Sequence, residues 1–299
     1  MVIREDNAAL KVPLKLNTSS DDIIEANIGS IKGEQEIYKR LTGCDHVVKV
    51  LQFTETSTKM QLMENGDLLS YITRDSASHP SKQLMLRWFC QMARGLAEIH
   101  DRRVLVFDIA MRNFLLDSDL SIKFCDFTEA TALPLDTDME AANDHNSTVQ
   151  TDIGELAAVM YEVVTGEGYN FNSFLNTGPS DGGLEWPDEG SLRPTEGIWL
   201  GDTFKKCWTR GKFRNARELL RELESVHVDV DLNVDLENGF AYPIPSPRMP
   251  VSSSIMSLLR QVRRNLSLRK MMALTGAVVV VTFIFSLKRS GYTFPMSSL

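Results

Sequence analysis

The chain has 299 residues, 24% of them charged and 43% hydrophobic, and a net charge of −8. That length holds one folded domain plus shorter appended segments, and the composition is that of a globular protein. The acidic balance argues against general nucleic-acid binding, although basic residues crowd toward the C-terminal end.

In chain order, residues 8–16, AALKVPLKL, read as a short strand carrying Lys11 and Lys15. In 30–41, SIKGEQEIYKRL, Ile31, Ile37, Tyr38 and Leu41 form one helical apolar face, with Glu34 and Glu36 on different faces. Residues 46–52 and 58–63 read as two further strands, the second running into an Asn-Gly turn. Residues 84–100 form an amphipathic helix whose Trp, Phe and Met side chains are assigned to the core. The stretch 104–130 concentrates the chemistry: Asp108, then Asn113, then Asp126 followed by Phe127. Within it, FLL and SIKF flank a turn-like DSD, which predicts a β-hairpin holding three metal- or proton-handling groups at one end. After an acidic stretch containing Glu140, residues 151–166 read as a buried helix with Gly166 just past its end and Asp152 as its N-cap. Residues 226–237 alternate apolar and polar residues. Their D-x-D-x-N start lacks the glycine and closing glutamate of a calcium loop, so an extra strand or an acidic segment is expected.

The 104–130 stretch resembles the catalytic core of eukaryotic protein kinases, in which H-R-D-L-x-x-x-N and D-F-G supply a base and two magnesium ligands. The resemblance implies Asp108 as base, Asn113 and Asp126 as metal ligands, and Arg112 neutralising charge near the transferred phosphoryl. Ala9-Leu10-Lys11 resembles the family's A-x-K, which makes Lys11 the phosphate-binding lysine, with Lys15 as the competitor. Its implied partner is Glu34, with Glu36 as the alternative. M-E-N-G-D-L resembles the hinge: Met60 is then the gatekeeper, and the backbone of Gln61 to Met63 would meet an adenine ring. Asp152 also matches the aspartate that anchors the catalytic-loop backbone, and Glu140 falls near the A-P-E glutamate. Cys207-Trp208 and the helix after it resemble the end of the large lobe. The resemblance covers about residues 8–224.

Departures are equally specific. Val106 and Phe107 stand for the His and Arg of H-R-D, which removes the usual partner of a phosphorylated activation loop. Both residues are expected to pack instead. Thr128 stands for the glycine of D-F-G, where a β-branched residue resists angles glycine tolerates. No glycine precedes Lys11, so the family's first two strands and phosphate-covering loop are expected to be missing.

Residues 271–287, MMALTGAVVVVTFIFSL, carry no charge, and Arg260, Arg263, Arg264, Arg269, Lys270, Lys288 and Arg289 bracket them. At helical rise the run spans about 25 Å, near the short limit for crossing a bilayer. The heavier basic flank keeps the preceding domain on the cytosolic side. The run reads as a tail anchor suited to a thin bilayer, endoplasmic reticulum or mitochondrial outer membrane. Residues 255–270 form a basic amphipathic lead-in suited to anionic headgroups. No apolar h-region opens the chain, so no secretory signal is expected. Cys44, Cys90, Cys125 and Cys207 are scattered without a C-x-x-C pair, the pattern of reduced thiols.

The expected fold is α+β, a bilobed protein-kinase-like domain over 1–225 with a truncated small-lobe sheet. An acidic segment and Pro/Ser linker (226–254), the lead-in (255–270), a transmembrane helix (271–287) and a short tail (288–299) follow. The expected function is an ATP- and Mg2+-dependent protein kinase acting near a membrane, of Ser/Thr type with tyrosine specificity left open. The alternative is a pseudokinase, a membrane-tethered scaffold for a protein partner, favoured by the departures above.

Overall fold

The computed structural model describes residues 2–5, 8–13, 21–74, 79–144, 147–169, 171, 186–187, 190 and 192–228. They fall in one compact unit, Met1–Val230.

Four strands build an antiparallel sheet in the order β1-β2-β4-β3: β1 Val2–Glu5, β2 Ala8–Lys11, β3 Val50–Phe53 and β4 Thr58–Gln61. Strand β1 corrects the expectation that both strands ahead of the lysine strand are missing. It pairs along its whole length with β2, from Val2↔Lys11 to Glu5↔Ala8. Four residues beginning with two β-branched ones suffice for such a ladder without any glycine motif. The β3 strand starts at Val50 rather than at residue 46. The preceding backbone is bound elsewhere: Phe124 N donates to His46 O (2.8 Å), and Val48 N to Phe124 O (3.0 Å).

Helix α1, Asp21–Arg40, is longer than its apolar pattern implied, because its first turns precede the buried face. That face presents Ile31, Glu34, Ile37 and Tyr38, all buried. Gln35 fastens the helix to the sheet: its Nε2 reaches Thr54 O and Ser57 O, each at 3.0 Å. These bonds tie α1 to the turn between β3 and β4, on the same sheet that carries Lys11.

Beyond the sheet, β5 (Gly66–Asp67) and α2 (Leu68–Arg74) lead to α3, Lys82–Asp101. Ser81 caps α3 by accepting from Leu84 N. Its apolar face, with Trp88, Phe89 and Leu96 fully buried, forms the centre of the core. Gly95 lets α3 approach the hairpin: a Cβ there would lie 2.7 Å from His46 Cβ and 3.0 Å from the Phe124 ring. The β6 strand (Val104–Leu105) pairs with β9 (Thr131–Ala132), bracketing the stretch 106–130. The expected hairpin forms as β7 Phe114–Leu116 and β8 Ile122–Phe124, joined to β5.

Helix α4, Val149–Thr165, ends at Gly166 in the left-handed conformation, φ 73°. Its N-cap is Thr148, which forms a reciprocal box with Thr151, so Asp152 sits inside the first turns and is not the cap. Helices α5 (Gly201–Trp208) and α6 (Ala216–Glu224) close the unit, and Trp208 Nε1 donates to Gly154 O at 3.1 Å. No helix among the described residues is long and apolar enough to cross a membrane. The 271–287 run, its lead-in, the linker and all but the start of the acidic segment lie outside the described residues.

Candidate active site

Hairpin register brings the two candidate metal ligands side by side. Phe114 pairs with Phe124 and Leu116 with Ile122, so Asn113 and Cys125 continue the ladder, with Cys125 N donating to Asn113 O at 2.9 Å. Asp126 follows immediately. Asn113, in a 3-10 turn over Met111–Asn113, donates from Nδ2 to Asp108 O (2.9 Å) and Oδ2 (3.0 Å). That bond turns its Oδ1 away from Asp108. Arg112 clasps the same carboxylate, with Nη2 at 2.5 Å from Oδ1 and 2.8 Å from Oδ2. Asp108 therefore has a fixed orientation with side-chain exposure of 38%.

The loop carrying Asp108 is not part of a sheet, so its amides need other acceptors. Helix α4 supplies them. Asp152, fully buried, accepts from Val106 N (3.0 Å), Phe107 N (3.1 Å) and His100 Nε2 (2.8 Å). Glu155, three residues on, accepts from Ile109 N at 3.0 Å. These bonds hold Phe107 in the left-handed region at φ 69°, a conformation that costs a non-glycine residue about 1 kcal/mol or more. Val106 is buried and Phe107 packs against the core, so both substitutes for His-Arg are absorbed. Burial pushes the Glu155 carboxyl well above its usual range, and the neighbouring Asp152 charge adds to this. Glu155 escaped the sequence reading, although D-x-x-E spacing on a helix places both acids on one face.

Lys11 closes the site from the sheet side. Its Nζ lies 2.8 Å from Glu34 Oε1, 2.8 Å from Asp126 Oδ1 and 3.1 Å from Thr128 Oγ1. Burial opposes its charge, but Asp126 and Glu34 outweigh this and raise its pKa. Burial likewise disfavours the charged Asp126. Lys11 and the Thr128 donors win, holding the carboxyl down at about 2 even though its side chain is 45% exposed. Glu34 is fully buried, so desolvation pushes it up against the pull of Lys11, and its Oε2 has no partner among the described residues. Helix α1 also grips the backbone after Cys125: Phe127 N donates to Glu34 Oε1 (3.0 Å) and Asp126 N to Tyr38 OH (3.3 Å). The Tyr38 and Phe127 rings meet edge to face at 5.2 Å. Of the competing candidates, Glu36 is exposed and pairs with Lys39 instead, and Lys15 lies outside the described residues.

A protein kinase domain model matches residues 3–168, more than half of the chain. The chain belongs to the protein kinase family. It is 28% identical over 164 residues to a Dictyostelium discoideum protein described as a probable serine/threonine-protein kinase, covering 49% of this chain and 32% of that one. It is 26% identical over 231 residues to the receptor tyrosine-protein kinase erbB-4 of Homo sapiens, covering 68% of this chain and 17% of that one. The chain thus spans less than a third of the length of either relative.

The family implies ATP and a divalent metal, and the donors here fit a hard ion. Asp126 is anchored through Oδ1, which leaves Oδ2 as a carboxylate oxygen, and Asn113 presents an amide oxygen. Among the described residues no three His, Cys, Asp or Glu side chains converge as in an all-protein metal cage. One or two oxygen ligands completed by phosphate and water is the pattern of Mg2+. At the hinge, Met60 is buried in β4. Gln61 N is committed to Lys49 O (2.8 Å), so a contribution from Gln61 to a ring comes through its carbonyl. Met63 is buried and its carbonyl accepts from Gly66 N at 3.1 Å. Glu140, away from this site, accepts from Asn215 at the start of α6 at 2.9 Å.

Proposed function

We propose that this chain is an ATP-dependent protein kinase that transfers the γ-phosphoryl group to protein hydroxyls, Ser/Thr first, close to a membrane. The observation that carries the reading is the joining of Lys11, Glu34 and Asp126, with Lys11 lying 23 positions from Glu34 and 115 from Asp126, in one cluster beside Asn113 and Asp108. A binding-only scaffold would keep the buried ion pairs for stability alone, but has no physical need of a half-exposed Asp108 oriented by both Arg112 and Asn113.

In this reading Lys11 binds the α- and β-phosphates, and Glu34 keeps its ammonium pointed inward. Asp126 and Asn113 would hold Mg2+, which neutralises charge developing on the phosphates when bound. Asp108 orients the acceptor hydroxyl and takes its proton. The new O–P bond forms as the bridging bond to the β-phosphate breaks and ADP leaves. Arg112 holds the Asp108 carboxylate and adds positive charge beside the transferred group; its position also suits a tyrosine acceptor. Membrane attachment through 271–287 belongs to the same reading, supported by that run's lack of charge and its basic flanks.

Thermal-shift titration and transfer from radiolabelled ATP to generic Ser/Thr and Tyr substrates test the proposal. Asp108→Asn should reduce turnover about a hundred- to ten-thousandfold while leaving ATP binding near wild type. Asp126→Asn should abolish the Mg2+-dependent part of binding. Nucleotide binding without any transfer by the wild type would favour the scaffold.

A further inference from the structure

Thr128 occupies the position where the family has glycine, and the expected conflict is not at its own backbone. The left-handed residue in this stretch is Asp126, at φ 60°, and Thr128 is absent from the positive-φ residues. Aspartate tolerates that region better than most residues, because its short side chain bonds locally. The local bond here is to Thr128. The Thr128 hydroxyl donates to Asp126 Oδ1 at 2.7 Å, and Thr128 N points to the same oxygen at 3.4 Å. Lys11 Nζ reaches both Asp126 Oδ1 (2.8 Å) and Thr128 Oγ1 (3.1 Å). The hydroxyl thus has its proton directed at the carboxylate and its lone pair at the ammonium. Among the described residues, the donors to the Asp126 carboxylate converge on Oδ1.

We propose that Thr128 is a positioning residue whose hydroxyl locks Asp126 in its left-handed, Lys11-facing conformation and so presents Oδ2 to a nucleotide-bound divalent cation. Glycine in this place frees the backbone to turn; threonine removes that freedom and adds a side-chain brace. A bond from a neutral donor to an anion in a half-buried site is among the stronger hydrogen bonds, so its loss should be felt locally. The metal part of this inference rests on the phosphoryl-transfer reading, whereas the brace does not.

Three variants of the full chain test it: Thr128→Val, which keeps the shape and removes the hydroxyl, Thr128→Ser, which restores it, and Thr128→Gly. Without nucleotide, hydrogen exchange at the Phe127 amide, bonded to Glu34, reports whether the segment stays docked. The Phe124 amide, bonded to His46, is the internal control. Exchange at Phe127 should quicken about tenfold or more in the Val and Gly variants, with Ser near wild type and Phe124 unchanged. A second measurement is Mg2+ titration of binding of a fluorescent ATP analogue. The half-saturating Mg2+ concentration should rise about tenfold in the Val variant and return in the Ser variant. A Val variant that exchanges like wild type, or a Ser variant that fails to rescue, would overturn the brace. A wild type that takes up no nucleotide would overturn both the phosphoryl-transfer reading and the role toward metal, and the exchange result would still decide whether the hydroxyl holds Asp126.

Discussion

At the level of single residues, the site is a set of charges whose burial is tolerable only because each is shared. Glu34 is wholly buried, and among the described residues Lys11 is its one cationic partner; Phe127 N adds the second bond. Removing the ammonium leaves an uncompensated buried carboxylate beside Asp126. Lys11→Met should therefore cost about 3–5 kcal/mol in urea unfolding. Adding Glu34→Gln to that variant should recover part of the loss, because the amide carries no charge to strand. A loss below 1 kcal/mol, or no recovery, would count against a coupled pair. The identity of these residues was readable from A-x-K, D-x-x-x-R-N and D-F. Their partners Glu155, Tyr38 and Thr128 were not read, because each acts on a backbone or side chain brought near only by folding.

Between elements, α4 and the loop carrying Asp108 form the informative contact. Asp152 and Glu155 project from one face of the helix to receive Val106, Phe107 and Ile109 amides. Glu155 has its carboxyl raised chiefly by burial, so the folded state holds that proton more tightly than the unfolded chain does. Stability from this source is full below the unfolded value, near 4.5, and is lost as pH rises through the elevated folded value. Glu155→Gln keeps an acceptor oxygen for Ile109 N and cannot ionise. Its Tm relative to wild type should climb as pH rises above about 4.5, and a flat difference would show that Glu155 carries no strained charge. A second contact is tighter still. Gly95→Ala drives a methyl group against His46 and Phe124, and urea unfolding should show a loss of about 1–3 kcal/mol. Element types were largely legible: the hairpin, α3 and the glycine-ended α4 all follow from periodicity and turn chemistry. Boundaries shifted where backbone groups found other partners, as at His46 and Val48, whose bonds go to β8 rather than to the sheet.

For the whole molecule, the separate prediction concerns 271–287. If that uncharged run crosses a bilayer, Val280→Arg should cost about 2.5–3.5 kcal/mol at the membrane centre and shift a short span toward the soluble fraction. Carbonate extraction of wild type and variant, with protease protection of an N-terminal tag, reads the outcome; full extraction of the wild type would remove the anchor from the proposed function. By itself the sequence determined the family and the α+β class and nominated the candidate residues of the site, because these rest on short local spacings such as Asp108 to Asn113. Tertiary structure decided three other matters. It placed β1 against β2, which four residues without a glycine motif did not announce. It moved the backbone strain from Thr128 to Asp126 and Phe107. It also joined Lys11, Glu34 and Asp126 through contacts spanning 23 and 115 positions. Such contacts depend on how α1, the sheet and the hairpin pack, and packing is a property of the whole core that no local window of sequence contains.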